Sequence, residues 1–203
     1  MVTLVSCVIK HQHVCMINRL LYNVMLYVVD WVCGVTQLGD IVYAVFTDSP
    51  VIKMFTADKL HRLGERIHVE GMRRPTDIVA CHHDRQLYVG DEGGECIWRV
   101  SVSDGIGRHS YIKWLTEIGV FTLSLTSHHL FVTSSQLPHV RQYDTTDGQL
   151  VREVPLPSYV KLVWHAAETS PDTFVLCHKG TSDGKDQFAV SELFRLCRRP
   201  VLK

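Results

Sequence analysis

The sequence predicts an all-β protein built from four consecutive four-stranded antiparallel units. Three observations support this prediction. An apolar triplet recurs at intervals of 43 to 45 residues, a second apolar strand follows each triplet after a short polar turn, and Gly, Pro and Asp residues mark the turns between strands. The chain has 203 residues, of which 46% are hydrophobic and 21% charged, so it can bury a substantial core.

The strands are predicted in the same order in each unit. The recurring triplets are 42–44, 87–89, 130–132 and 173–175. A strand precedes each triplet at 32–35, 77–81, 121–125 and 165–169, and another follows it at 52–55, 97–100, 140–143 and 188–190. Outer strands at 66–69, 111–115 and 151–154 close the first three units.

This arrangement is typical of β-propeller blades, in which four short strands recur every 40–50 residues. A blade packs between two neighbours, so its middle strands are apolar on both faces and do not alternate. We therefore predict a β-propeller segment of about four blades. The alternative is an irregular all-β sandwich whose strand spacing is accidental.

The blades are assigned to residues 31–203, with boundaries near 31–71, 72–118, 119–159 and 160–203. Residues 1–30 do not follow the repeat and form an unassigned N-terminal extension. Its apolar spacing fits an amphipathic helix, whereas its Val and Tyr content near 24–29 favours an outer strand. Four blades leave two open faces, so we expect an incomplete propeller that belongs to a larger ring. Half of a dimer, associating through the open blade faces, and a small closed ring are the alternatives.

The second unit carries a family resemblance. Residues 74–79 (RPTDIV), 87–91 (LYVGD) and 97–100 (IWRV), followed by Asp104-Gly105, resemble an NHL repeat, and the unit is also similar to the wider six-bladed TolB-like propellers. The resemblance spans about 32 residues and implies the propeller architecture. The first and third units depart from it, with Phe46-Thr47-Asp48 and Thr133-Ser134-Ser135 where the family has a strand-end Asp.

Charged and aromatic residues collect at one end of the predicted blades. In a meander, the second-to-third turns and the interblade connections share this end. The mixture of charges with an aromatic residue is common in protein–protein interfaces, and the resemblance implies that this end is the ligand face. The predicted protein-binding residues are Arg73, Arg74, Asp91, Glu92, His139 and Tyr159. The sequence therefore predicts a non-catalytic protein-interaction module with a protein partner.

The chain is not expected to be an enzyme, and no catalytic residue, metal site or cofactor is assigned. It contains no Gly-x-Ser-x-Gly elbow, phosphate loop or dinucleotide fingerprint. A calcium-dependent lactonase on a TolB-like propeller is the alternative in the enzyme class. Asp77 and Glu168, its candidate calcium ligands, fall on opposite strand faces. The pairs His82-His83 and His128-His129 are interpreted as turn or surface residues.

The balance of positive and negative charge argues against nucleic acid as a partner. Lys+Arg and Asp+Glu number 21 each, so there is no basic excess to neutralise phosphates. An RNA-binding NHL-type propeller is the third alternative, because Arg73-Arg74 and Arg198-Arg199 form basic pairs. The four tryptophans, Trp31, Trp98, Trp114 and Trp164, are interpreted as packing residues.

Cysteine usage and hydropathy bear on the compartment. The seven cysteines include no Cys-x-x-Cys pair, and several lie in apolar runs, which predicts free buried thiols and a cytoplasmic location. The uncharged apolar stretch at 20–29 is too short to span a bilayer, so we expect no membrane association.

Overall fold

The structure is a computed structural model that describes residues 31–103, 109–134, 139–170, 173–182 and 185–193. These residues form β-strands and no helix. The strands are β1 (Val32–Leu38), β2 (Ile41–Phe46), β3 (Val51–Thr56), β4 (Arg62–His68), β5 (Pro75–Cys81), β6 (Gln86–Asp91), β7 (Cys96–Val102), β8 (His109–Thr116), β9 (Thr122–Leu125), β10 (His129–Thr133), β11 (His139–Asp144), β12 (Leu150–Pro155), β13 (Val160–Ser170), β14 (Thr173–Ser182) and β15 (Lys185–Leu193).

Consecutive strands pair into four separate antiparallel sheets. The first sheet has the order β1-β2-β3-β4, the second β5-β6-β7-β8 and the third β9-β10-β11-β12, and the described residues of the fourth form β13-β14-β15. Each predicted strand overlaps an observed one. The predicted extension 1–30, the Asp104-Gly105 turn and the Arg198-Arg199 pair lie outside the described residues.

The sheets belong to two compact units. One contains the first and second sheets and ends at Val120, and the other contains the third and fourth sheets and begins its described part at Phe121. In the first of these, the core includes Tyr43 and Ile52 from one sheet and Leu87 and Trp98 from the other. In the second, buried residues of both sheets form the core: Phe131, Val140, Val154, Val160, Val163, Ala166 and Leu176.

Burial along the strands follows the predicted pattern. Five of the six residues of β2, and likewise of β6, are buried, so these strands are covered on both faces. The outer strands β4 and β12 instead alternate between exposed and more buried positions over most of their length. Because Val, Ile, Tyr and Phe pack well on a pleated surface, the recurring triplets become the middle strands of the sheets.

A glycine allows the inner strands of the first two sheets to touch. A Cβ atom on Gly34 of β1 would lie 2.7 Å from the backbone nitrogen of Ile78 and 2.8 Å from the Cα of Asp77, both on β5. Real Cβ atoms essentially never approach another atom this closely. The spacing between β1 and β5 therefore depends on the absence of a side chain at residue 34.

Tyr88 makes this fold sensitive to alkaline pH. Its side chain is fully buried on β6 and donates a hydrogen bond to Gln86 Oε1 at 3.2 Å. Burial raises the pKa of Tyr88 from 10.0 to about 12, so the folded chain holds the phenolic proton more tightly than the unfolded chain does. The resulting stability is fully present below pH 10 and is lost as the pH rises from 10 to 12.

Between pH 10 and pH 12, the free energy of unfolding should fall less in Tyr88→Phe than in wild type, by on the order of 2 kcal/mol. Urea titrations of both proteins at a series of alkaline pH values measure this difference. If the free energy of unfolding fell as steeply with pH in the variant as in wild type, this expectation would be contradicted. Burial also raises the pKa values of Tyr43 and Tyr143. These two hydroxyls account for part of the pH dependence of stability that remains in the variant.

Candidate protein-binding site

Two turns and one connection meet at one end of the first and second sheets, which we call the loop end. They are the β2–β3 turn (47–50), the β4–β5 connection (69–74) and the β6–β7 turn (92–95). The N–H of Val69 donates to the carbonyl of Pro50 at 2.9 Å, and the N–H of Glu92 donates to the carbonyl of Arg74 at 3.0 Å. Val69 and Met72 are buried in the core and fix the connection beneath the surface.

The carboxyl group of Asp91 holds this end together. Oδ1 accepts the backbone N–H of Arg74 at 2.8 Å and that of Gly94 at 3.0 Å, and Oδ2 accepts the backbone N–H of Arg73 and the indole N–H of Trp98, both at 3.0 Å. The side chain is completely buried. Gly94 is part of the same arrangement, because a Cβ atom there would clash with Asp91 Oδ2.

Asp91 was predicted as a partner-binding residue, and the structure corrects this interpretation. A side chain with no exposed surface, which accepts four N–H donors and the Cys96 thiol within the protein, cannot contact another protein. Its role is to join the interblade connection to the β6–β7 turn. The strand-end Asp of the LYVGD segment thus stabilises the loop end from within the protein.

The first and third sheets have no carboxyl group at the position of Asp91, and other polar contacts occur at the ends of their second strands. In the first, Thr47 Oγ1 lies 3.0 Å from Cys33 Sγ, and the N–H of Thr47 donates to the carbonyl of Trp31 at 2.9 Å. In the third, the hydroxyls of Thr122 and the buried Thr133 are 2.7 Å apart.

The predicted residues Arg73, Arg74 and Glu92 lie on the surface above Asp91. Arg74 is 53% exposed and its guanidinium lies 3.0 Å from the carboxylate of Glu92, which is 32% exposed. Arg73 is also exposed. The backbone N–H groups of both arginines bind Asp91, so the main chain beneath the guanidinium groups is fixed while the charged groups face solvent.

His139 and Tyr159 belong to the other unit. His139 Nε2 lies 3.3 Å from Glu153 Oε1 without the alignment of a hydrogen bond, and Arg141 Nε donates to the same oxygen at 2.9 Å. With a side chain 19% exposed, His139 is mostly covered. Tyr159, in the β12–β13 connection, is 48% exposed and its ring centroid lies 6.0 Å from that of His178.

One exposed aromatic residue was missed by the sequence analysis. Trp31 precedes β1 at the loop end and is 69% exposed, although all four tryptophans were interpreted as packing residues. Trp98, which is 4% exposed, does pack in the core as predicted. A tryptophan beside a strand looks the same in sequence whether it points into the core or out of it, so only the fold separates the two.

No disulfide joins the described cysteines. Cys81 and Cys96 are buried, and Cys33 and Cys177 are partly buried. Burial, together with the nearby charge of Asp91, raises the pKa of Cys96 to about 11. This thiol is therefore protonated at neutral pH and unsuited to nucleophilic attack.

No group of three or more metal-ligating side chains converges among the described residues. Asp77 is 7% exposed, and its Oδ1 accepts the N–H of Ile78 at 2.8 Å in the close contact beside Gly34. His82 and His83 are exposed in the β5–β6 turn, and His128 is exposed before β10. The side chain of Glu168 lies outside the described part of the structure.

The described ranges contain no helix that is long and apolar enough to cross a membrane.

Comparison with known proteins identifies the architecture. No family model matches the chain, and no curated protein does. Among solved structures, it is similar to the WD40 β-propeller domain of Doa1, with a TM-score of 0.57 and 16% identity over 76% of this chain and 52% of that one. It is also similar to the Cps50 (Swd1) β-propeller domain of Myceliophteria thermophila, with a TM-score of 0.54 and 13% identity over 73% of this chain and 48% of that one.

A third similar structure is a 6-phosphogluconolactonase, so named provisionally, from Bacteroides uniformis, with a TM-score of 0.58 and 11% identity over 79% of this chain and 56% of that one. The chain thus spans about half the length of these three proteins. At such low identity the similarity shows the fold alone. Together with the meander sheets of the described residues, it shows that this chain has a β-propeller fold.

Proposed function

We propose that this chain is a non-catalytic protein-interaction module built on NHL-like propeller blades and acting in the cytoplasm. The observation that carries the proposal is the loop end around Asp91. There a buried carboxyl group fixes the main chain of two exposed arginines, so charged groups are presented on a rigid base. Rigid presentation favours binding because little conformational entropy is lost when a partner docks.

Several features agree with this proposal. The resemblance of the second unit to an NHL repeat includes Asp91, the residue that organises the loop end. The WD40 propellers share the fold, and the free thiols suit a reducing compartment. Against the lactonase alternative, Asp77 is turned toward the backbone of its own strand. Against the RNA alternative, Glu92 pairs with one guanidinium of the basic pair.

Cross-linking of the purified chain in a cell extract tests the proposal when charge variants are compared. We expect proteins captured by the wild-type chain to be lost from Arg74→Glu, because the substitution reverses the charge presented to the partner and also repels Glu92. Lys59→Glu is the matched control, since Lys59 is exposed in the β3–β4 turn at the opposite end of the first sheet. Quantitative mass spectrometry measures both captures.

Three results would argue against the interaction module. Equal capture by wild type and both variants would show that the loop end is not used. Calcium-stimulated hydrolysis of lactones by the purified chain would favour the enzyme. Recovery of RNA in place of protein in the cross-linked material, sensitive to Arg74→Glu, would favour the RNA-binding propeller.

A further inference from the structure

The first sheet is apolar on both faces, and one of them packs against the second sheet. Along β2, Tyr43 and Val45 belong to the core shared with the second sheet, whereas alternate residues of the same strand point the other way. We call this opposite side the distal face. Its buried residues form a separate cluster: Val32, Val35, Val42, Ala44, Phe46 and Phe55. All of these described residues come from the first sheet itself.

The apolar side chains of the distal face are nevertheless shielded from water. Each residue of the cluster is at most 8% exposed, and Ala44 is completely buried. A sheet that bears nothing on one face would leave the side chains of that face in contact with water. The structure is of a single chain, so the residues that cover the distal face belong to the chain itself.

The covered part of the distal face is narrower than the contact between two blades. The core between the first and second sheets includes Ile67 of the outer strand β4, and the core between the third and fourth sheets includes Val154 of the outer strand β12. On the distal face, the Nζ atom of Lys53 lies 3.9 Å from the ring centroid of Phe46, and Arg66, the partner of Lys53 on β4, is exposed. The covered part thus spans β1, β2 and the end of β3, which is ~10 Å and close to the diameter of one helix.

The segment that precedes β1 has the composition, the length and the end point that such a cover requires. Residues 17–29 are mostly apolar and contain a single charged residue, Arg19. Strand β2 has six residues and is ~20 Å long, a distance that ~13 residues span in a helix and fewer span in a strand. The segment ends beside the distal face, because the carbonyl of Trp31 accepts the N–H of Thr47 at 2.9 Å and Thr47 directly follows Phe46.

We propose that residues 17–29 bind the distal face of the first sheet and close it within the same chain. The apolar side chains of the segment pack against Val35, Ala44 and Phe55, and the removal of both surfaces from water drives the contact. The distal face is then unavailable to a second copy of the chain or to another blade, in contrast to the open face expected from the count of four blades. This inference is independent of the protein-interaction function proposed above.

Photo-cross-linking within the full-length chain tests this contact. In separate variants, p-azidophenylalanine replaces Phe46 or Phe55, which lie at opposite ends of the distal face because Phe55 pairs with Val42 at the start of β2. Tyr43, buried on the other face of β2, is the matched control. We expect most of the product from Phe46 and Phe55 to contain a peptide from residues 1–30, and the product from Tyr43 to contain a peptide of the second sheet. Mass spectrometry of mixed unlabelled and nitrogen-15-labelled chains separates products within one chain from products between chains.

Several outcomes would overturn the proposal. Products that join Phe46 and Phe55 to residues 160–193 would show that the fourth sheet covers the distal face, and products between chains would show that a second copy does. Absence of product from both positions, while Tyr43 cross-links as expected, would also contradict it. Variants with p-azidophenylalanine at Tyr22 or Tyr27 keep the test decisive if the sheet variants do not fold. Their products should contain β1 or β2, and products confined to other strands would overturn the proposal.

Discussion

Asp91→Ala is expected to lower the free energy of unfolding by ~3–5 kcal/mol, the largest effect of any single substitution proposed for this chain. The reason is the number of donors left behind. Three backbone N–H groups, those of Arg73, Arg74 and Gly94, and the indole N–H of Trp98 lose their acceptor inside the protein. Each buried donor without a partner costs ~1–3 kcal/mol, partly offset where water enters.

Asp91→Asn separates hydrogen bonding from side-chain volume. Whichever way the amide is oriented, its NH2 group faces two N–H donors, because each carboxyl oxygen of Asp91 accepts two of them. We therefore expect this variant also to be strongly destabilised. Glu92→Gln, at the adjacent and partly exposed position, is the control and should change stability by less than ~0.5 kcal/mol.

Urea unfolding at neutral pH measures these differences, and amide hydrogen exchange locates them. The amides of Arg73, Arg74 and Gly94 should lose protection in Asp91→Ala before the rest of the second sheet does. A variant within about 1 kcal/mol of wild type would show that the four donors find other partners, and Asp91 would then not be the residue that organises the loop end.

Gly34→Ala is expected to destabilise the chain by ~3 kcal/mol, at the upper end of the usual cost of overpacking. The added methyl group would meet the backbone nitrogen of Ile78 and the Cα of Asp77, and backbone atoms cannot rotate away as a flexible side chain can. Strand β1 would have to move away from β5, which would also disturb the core that the first and second sheets share.

Gly64→Ala is the matched control, because a Cβ at this exposed position of β4 would have no atom within 4 Å. We expect it to be neutral or slightly stabilising, since alanine loses less backbone entropy on folding than glycine does. Thermal unfolding of the two variants and wild type makes the comparison. Equal melting temperatures for Gly34→Ala and wild type would mean that the inner strands can separate without cost.

Much of the fold could be predicted because the blades repeat. The triplets at 42–44, 87–89 and 130–132 are apolar at consecutive positions, and a strand can be apolar on both sides only when both faces are covered. The structure confirms this for β2 and β6. The NHL resemblance added the position of the strand-end Asp, but it did not indicate whether that side chain points outward or into the protein.

The candidate site was predicted less well, for a physical reason. Charged residues are expected at the surface, so Asp91 was assigned to it together with its neighbours Arg74 and Glu92. Its burial is stabilised by donors from residues 17 and 18 positions earlier in the chain, and such partners cannot be recognised from local sequence. The opposite error was made for Trp31, whose apolar ring suggested packing although it lies at the exposed end of β1.

The sequence by itself determined the all-β class, the order of the strands in the described sheets and the location of the charged turns, because strand periodicity and turn residues are local properties. The tertiary structure decided which polar side chain is buried, which tryptophan is exposed and which glycine must remain small. These depend on atoms brought together from distant parts of the chain, as when Gly34 meets Asp77 and Asp91 meets Arg73. Binding surfaces combine residues that are distant in the sequence, so the candidate site could be described only from the folded structure.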